Sequence, residues 1–195
     1  MIHLPTLTSE RSALAAGLDA TPADEVVNFL RGLGMGQLRA MWKLAQADRQ
    51  PLSLEDLTGT ADDVVVHEGQ NSLPAFTRFQ KRFVRRGGQV QGYNHNPRSI
   101  QWFTGPGHFT VHAADATTLV IDYETMPDDV PPGFPPLVDN TSGTRRLVFG
   151  GMQDHLLRVS ERVTIGRAFR GGRFQPAWFA LCRVGARPGE GAAGD

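Results

Sequence analysis

The run Val163-Thr164-Ile165-Gly166-Arg167-Ala168-Phe169 alternates apolar with mostly polar or small residues, Gly171-Gly172 follows, and Ala177-Trp178-Phe179-Ala180-Leu181-Cys182 runs back. This pattern predicts a β-hairpin. Its last strand is bulky in both directions, so it closes a sheet over a core, and the earlier strands must curl to meet it. Short strands are predicted over residues 63–67, 89–93, 100–104, 109–112 and 118–124, with Asn96-Pro97 and Gly105-Pro106-Gly107 as turns between them.

Helical spacing governs the first part of the chain. Thr21-Pro22 reads as an N-cap and first helical position, with Asp24 and Glu25 in the first turn, and predicts a helix over residues 22–31. The glycines Gly32, Gly34 and Gly36 interrupt the pattern. Leu38, Met41, Trp42 and Ala45 then mark a second amphipathic helix over residues 37–47. Ser53 to Leu57 reads as a capped turn. A further helix is predicted over residues 73–86, where Leu73, Phe76, Phe79 and Phe83 fall on one side, Arg78, Lys81, Arg82 and Arg85 on the other, and Gly87-Gly88 supplies the stop. Residues 126–143 contain Pro127, Pro131, Pro132, Pro135 and Pro136 and form a long loop of the kind that is functional or a lid.

These elements predict a mainly β (α+β) protein: N-terminal helices followed by an antiparallel barrel of about seven to nine strands. The alternative is a cone-shaped α+β fold with helices inside a bent sheet. Residues 1–20 are expected to be a flexible arm, 21–184 a single domain, and 185–195 a disordered tail.

Composition narrows this only slightly. The chain has 195 residues, 40% apolar and 21% charged, with a formal net charge of zero, so the molecule as a whole attracts no strongly charged partner. The single Cys182 excludes an internal disulfide framework and fits a reducing compartment. Without an apolar run of about 18 residues or a leader pattern, the expected location is cytoplasmic, unanchored. Of the 20 basic residues only Lys43 and Lys81 are lysines.

Charge is nevertheless uneven. Residues 69–114 contain no acid but carry Arg78, Lys81, Arg82, Arg85, Arg86 and Arg98, whereas residues 1–68 hold ten acids and five bases. The basic set Arg78, Lys81, Arg82 and Arg85 is either a contact for anionic lipid, nucleic acid or an acidic partner, or a face paired internally with that acidic segment.

The segments Lys81-Arg-Phe83, Gly92-Tyr93-Asn94, Thr104-Gly105-Pro106-Gly107, Leu119-Val-Ile-Asp122-Tyr123, Val163-Thr-Ile-Gly166-Arg-Ala and Phe179-Ala-Leu-Cys-Arg183 together resemble bacterial lipocalin-like barrel families. The resemblance spans residues 52–184. Ala61-Asp62-Asp63 stands where one such family carries Gly-x-Trp-x-Gly. What the resemblance implies is a barrel with an internal cavity for a small apolar molecule, and no catalytic residues.

No motif supplies chemistry directly. His108 and His112 lie on a predicted strand, where four residues span about 13 Å, too far to share one ion, so no metal site is expected. Asp154-His155 and Ser160 lack a nucleophile elbow. Cys182 reads as a buried small hydrophobe, and the glycine pairs as turns rather than phosphate loops.

The aromatic strand residues carry more information, joined by polar residues that a barrel interior must pair. The candidate ligand-binding set is Tyr93, Trp102, Phe109, Asp122, Tyr123, Arg158, Arg167 and Trp178, with Asn94 and Arg183 as further polar candidates. Strand register decides which of them face inward, because a slip of one residue reverses every assignment. The function expected is binding of a small hydrophobic or amphipathic molecule in the barrel cavity, without a cofactor. The alternative is a cofactor-independent cyclase, isomerase or hydrolase using Asp122, His108 or His155 as acid or base.

Overall fold

A computed structural model of the chain describes residues 10–58, 63–74, 77–95, 105–140 and 145–184. Eight antiparallel strands close into an up-and-down barrel in the order β1 to β8, each strand pairing with its chain neighbours and β1 with β8. They are β1 Val65–Asn71, β2 Arg78–Arg86, β3 Gln89–His95, β4 His108–Asp115, β5 Thr118–Asp122, β6 Met152–Arg158, β7 Val163–Arg170 and β8 Arg173–Val184. Three helices precede them, α1 Arg11–Asp19, α2 Ala23–Arg31 and α3 Met35–Ala47, and a short helix α4, Arg145–Phe149, leads into β6. The mainly β barrel is therefore the fold, and the cone-shaped alternative is excluded.

Two apolar layers sandwich the last strands. Inside the barrel, Phe83, Val90, Phe109, Val111, Leu119, Ile121, Leu156, Phe179 and Leu181 fill one end, which Leu52 and Leu57 close from below. Outside, Leu157, Val163, Ile165, Trp178, Ala180 and Cys182 pack against Leu14, Leu18, Val26, Leu30, Leu38, Met41 and Trp42 of α1 to α3. Strand β8 is bulky on both faces because both are buried. Cys182 is fully buried in this outer layer, and burial pushes its thiol up to about 12.

The helix expected over residues 73–86 is not formed; the chain there is strand β2 from Arg78 onward. The reason is arithmetical. Phe79 and Phe83 are four residues apart, a spacing that shares a face in a helix and equally in a strand. Period two also places Lys81 between them on the inner face and Arg82 on the outer, and Gly87-Gly88, both at positive φ, form the tight turn into β3 rather than a helix stop. The first strand also starts later than expected, at Val65. Helix α1 falls within residues 1–20 and buries Leu14 and Leu18. Residues 1–9, the expected strand at 100–104 with Trp102, and the tail 185–195 lie outside the described residues.

The proline-rich loop does not cross the barrel mouth over its described length. It is strapped to the outer wall: the Gln91 side chain donates to the Asp129 carbonyl at 3.0 Å, Phe134 meets Tyr93 edge-on at 4.7 Å, and Asn140 donates to the carbonyls of His108 and Tyr123 at 2.7 and 2.9 Å.

Three glycines shape the interior. Gly69 pairs across the sheet with Phe79, Gly92 with Phe109, and Gly166 with Phe179. In each case the ring lies over the glycine where a Cβ would stand; on Gly166 that atom would come within 2.1 to 2.6 Å of Phe179. The rings thus lie against the wall and leave the lumen open above them. Gly166→Ala is expected to push Phe179 into the lumen and cost about 1–3 kcal/mol of stability, as overpacking does. Urea denaturation measures the loss, and an unchanged midpoint would show that the wall yields.

Candidate functional site

Above the packed end, the barrel holds a cavity of about 410 Å³. Its wall is mostly apolar, with Leu73, Phe79, Val148, Phe149, Met152, Ala168, Ala177 and Phe179; Asn71, Arg170 and Gln175 stand among them, and Lys81, Asn94, Tyr123 and Asp154 form a separate polar group deeper in the barrel. Phe149 of α4 stacks on Tyr123 at 5.1 Å. Gly107, at φ 55°, lets the chain entering β4 pass against Phe149, where any side chain would clash. Helix α4 is therefore the element that borders the cavity at the mouth.

Lys81 is only 2% exposed, although its side chain is a cation. Burial without partners would be costly, and the three ammonium donors are all used. They go to Asn94 Oδ1 at 2.8 Å, to Asp154 Oδ2 at 3.3 Å and to the Tyr123 hydroxyl. Tyr123 in turn donates to Asp154 Oδ2 at 3.1 Å, and Asn94 Nδ2 donates to the Gly107 carbonyl at 3.3 Å. The rings of Phe79, Phe109, Tyr123 and Phe179 surround Nζ at 5.1 to 5.6 Å, close enough for cation–π attraction. Burial pulls the Lys81 amine below its ordinary value, and the Asp154 charge opposes that. The Tyr123 phenol is pushed well above its ordinary range by burial and then by Asp154, so it stays protonated and donates.

The eight candidates separate by strand face. Tyr123 lines the cavity, and Phe109 lies beneath it with its ring at 5.6 Å from Tyr123. Arg158 points to the closed end, where it pairs with Asp56. Tyr93, Asp122, Arg167 and Trp178 face out of the barrel. Tyr93 packs against Phe134; Asp122 accepts from the Glu124 backbone N–H at 2.8 Å and from the Thr125 hydroxyl at 3.1 Å, capping the turn after β5; Arg167 stacks between Phe174 and Trp178 at 5.0 and 5.1 Å. Trp102 is outside the described residues. The three expected acid–base residues, Asp122, His108 and His155, are likewise on the outer wall. His108 donates through Nε2 to the Pro136 carbonyl at 3.2 Å, and His155 sits between Phe169 and Phe174 at 5.0 and 5.1 Å.

The basic set is dispersed rather than gathered on one face. Lys81 is inside the barrel. Arg82 shares the outer face with Arg78 and reaches Gln80 Oε1 at 3.4 Å, while Arg85 and Arg86 pair with Glu55 at 2.7 Å and Asp129 at 2.9 Å. The internal pairing with the acidic N-terminal segment is thus real for Arg85. Among the described residues, no helix is long and apolar enough to cross a membrane.

Sequence reading missed Lys81, Asp154, Phe79, Phe149 and Met152 as cavity residues. One signal was available: in Phe79-Gln80-Lys81-Arg82-Phe83, period two puts a lysine between two phenylalanines on the apolar face. Met152, Val148 and Phe149 had no such signal, because only the chain path through α4 brings them to the mouth.

Compared with protein-family models, with curated proteins and with solved structures, the chain gives no match. The eight-stranded antiparallel barrel is consistent with a lipocalin-like fold, and the site must be read from its own geometry.

Proposed function

We propose that this protein binds a small hydrophobic or amphipathic molecule inside the barrel. The observation that carries the reading is the cavity of about 410 Å³, with a mostly apolar wall and one buried polar cluster at its floor. That size and lining suit a small organic ligand held by shape and apolar contact, with a few polar groups to orient it. The apolar body of the ligand would lie against Phe79, Phe149, Met152 and Phe179, and its polar end would meet Tyr123, Asn94 and the Lys81–Asp154 pair.

Native mass spectrometry of the protein exposed to a lipid extract tests this, with thermal shifts from a panel of fatty acids, terpenoids and aromatic polyketides. A bound mass and a raised Tm are expected. Ala168 lines the cavity, so Ala168→Phe is expected to fill it and abolish the ligand-induced shift while the barrel still folds. Failure of every ligand to bind or shift the wild-type protein would end the binding reading.

Catalysis without a cofactor in the same cavity is the second reading, favoured by one observation: a buried amine, Lys81, hydrogen-bonded to a phenol and a carboxylate. Such a cluster can polarise a carbonyl or move a proton. Its residues are Lys81, Tyr123 and Asp154 in place of Asp122, His108 and His155. A bound ligand whose mass changes with time on the wild-type protein but not on Tyr123→Phe would support it.

A further inference from the structure

Building on that binding reading, we infer that the ligand end reaching the floor is uncharged: the site takes an apolar molecule with a single neutral hydrogen-bonding group, a carbonyl or hydroxyl, and rejects the carboxylate of equal length. The argument is one of charge balance. Lys81 and Asp154 lie 3.3 Å apart and are both buried. One cation beside one anion, the pair sums to zero. The floor residues beside them, Tyr123 and Asn94, add no charge, since the Tyr123 phenol remains protonated.

The other charged side chain on the cavity lining is Arg170, at the end of β7 on the mouth, where it donates to the Val148 carbonyl at 2.9 Å. It stands one inward position nearer the mouth than Ala168, the residue paired with Asp154, so it can meet a charge held at the mouth but is not part of the floor cluster. A carboxylate carried to the floor would surrender its hydration without meeting a surplus cation, and an ammonium would meet no surplus anion. A neutral oxygen loses far less on leaving water. It can take the place of Asn94 Oδ1 or the Tyr123 oxygen as an acceptor from Lys81 while the Lys81–Asp154 pair stays intact, a hydroxyl can also donate to the Asp154 carboxylate, and the surrounding Phe79, Phe109 and Phe179 rings keep the rest of the floor apolar.

The test uses the wild-type full-length chain and three medium-chain ligands of equal length: a primary alcohol, a methyl ketone and a carboxylic acid, compared by calorimetry at neutral pH. The alcohol or ketone is expected to bind at least tenfold more tightly than the carboxylate. Asp154→Asn, which leaves Lys81 as a surplus cation, is expected to shift that ratio at least tenfold toward the carboxylate; the wild-type comparison decides by itself if the variant does not fold. A carboxylate that binds the wild-type protein as tightly as its neutral counterparts would overturn the inference and leave the binding reading standing. If none of the three binds, the charge of any molecule captured from lipid extract decides instead: a neutral molecule supports the inference and an anion overturns it. If nothing is captured either, both readings fall.

Discussion

Asp154→Ala is expected to lower the stability of the protein by about 3–5 kcal/mol, the largest effect of any single substitution at the cavity. The change removes the one carboxylate facing Lys81 and leaves the amine buried, held only by Asn94 and the Tyr123 oxygen. An ammonium there would be an uncompensated charge surrounded by four aromatic rings, and a neutral amine would have to give up its proton to form. The double variant Lys81→Met, Asp154→Leu should recover most of the loss, because a buried ion pair replaced by apolar groups of similar volume is often neutral or stabilising. Urea denaturation of the wild type, the single variant and the double variant at neutral pH measures both effects, and their difference is the coupling between the two residues. A single variant as stable as the wild type would mean that Lys81 reaches water through the mouth. The expected contrast also separates roles: if the double variant is more stable yet loses ligand, the pair is kept for binding at the expense of stability.

Stability is also expected to fall as pH falls below 6.5, through His67. This residue is on the inner face of β1, its Nε2 donates to the Leu57 carbonyl at 3.0 Å, and its ring meets Phe83 edge-on at 4.8 Å. Burial, with the charge of Arg183 adding to it, lowers its pKa from 6.5 to about 3. The unfolded chain takes up a proton at 6.5 that the native state refuses until about 3, so the stabilisation is complete above 6.5 and is lost as pH falls between these values. The loss is roughly 1.4 kcal/mol per pH unit and reaches on the order of 5 kcal/mol at the lower limit. His67→Gln preserves a donor for Leu57 but does not titrate. Carboxylates titrate in the same range in both proteins, so the difference between the two stability curves isolates His67. The variant should lose less stability from pH 6.5 to 4.5 by roughly 2 kcal/mol. Parallel curves would show that the ring is protonated without unfolding.

The alternation of Val163 to Phe169, the glycine turn and the bulky return strand determined by themselves that the chain ends in a hairpin closing a sheet, because the two faces of a strand are written directly into alternate residues. The helices around Val26 and Met41 were equally legible from their apolar spacing, although Thr21 does not cap the first, its hydroxyl donating to the Gly17 carbonyl, and Gly36 lies inside the second. Residues 73–86 were not, because a four-residue spacing of phenylalanines satisfies both periods, and only pairing of β2 with β1 and β3 selects the strand. The cavity depended on tertiary structure more fully. Lys81, Asn94 and Asp154 come from three different strands and Tyr123 follows directly on β5, and their meeting is set by barrel register, in which a shift of one residue would turn them outward. The same register sends Tyr93, Asp122, Arg167 and Trp178 to the outer wall, where helices and the proline-rich loop cover what composition alone marked as candidate lining. Residue identity determined that a buried charge needed a partner; closure of the barrel decided which one it met.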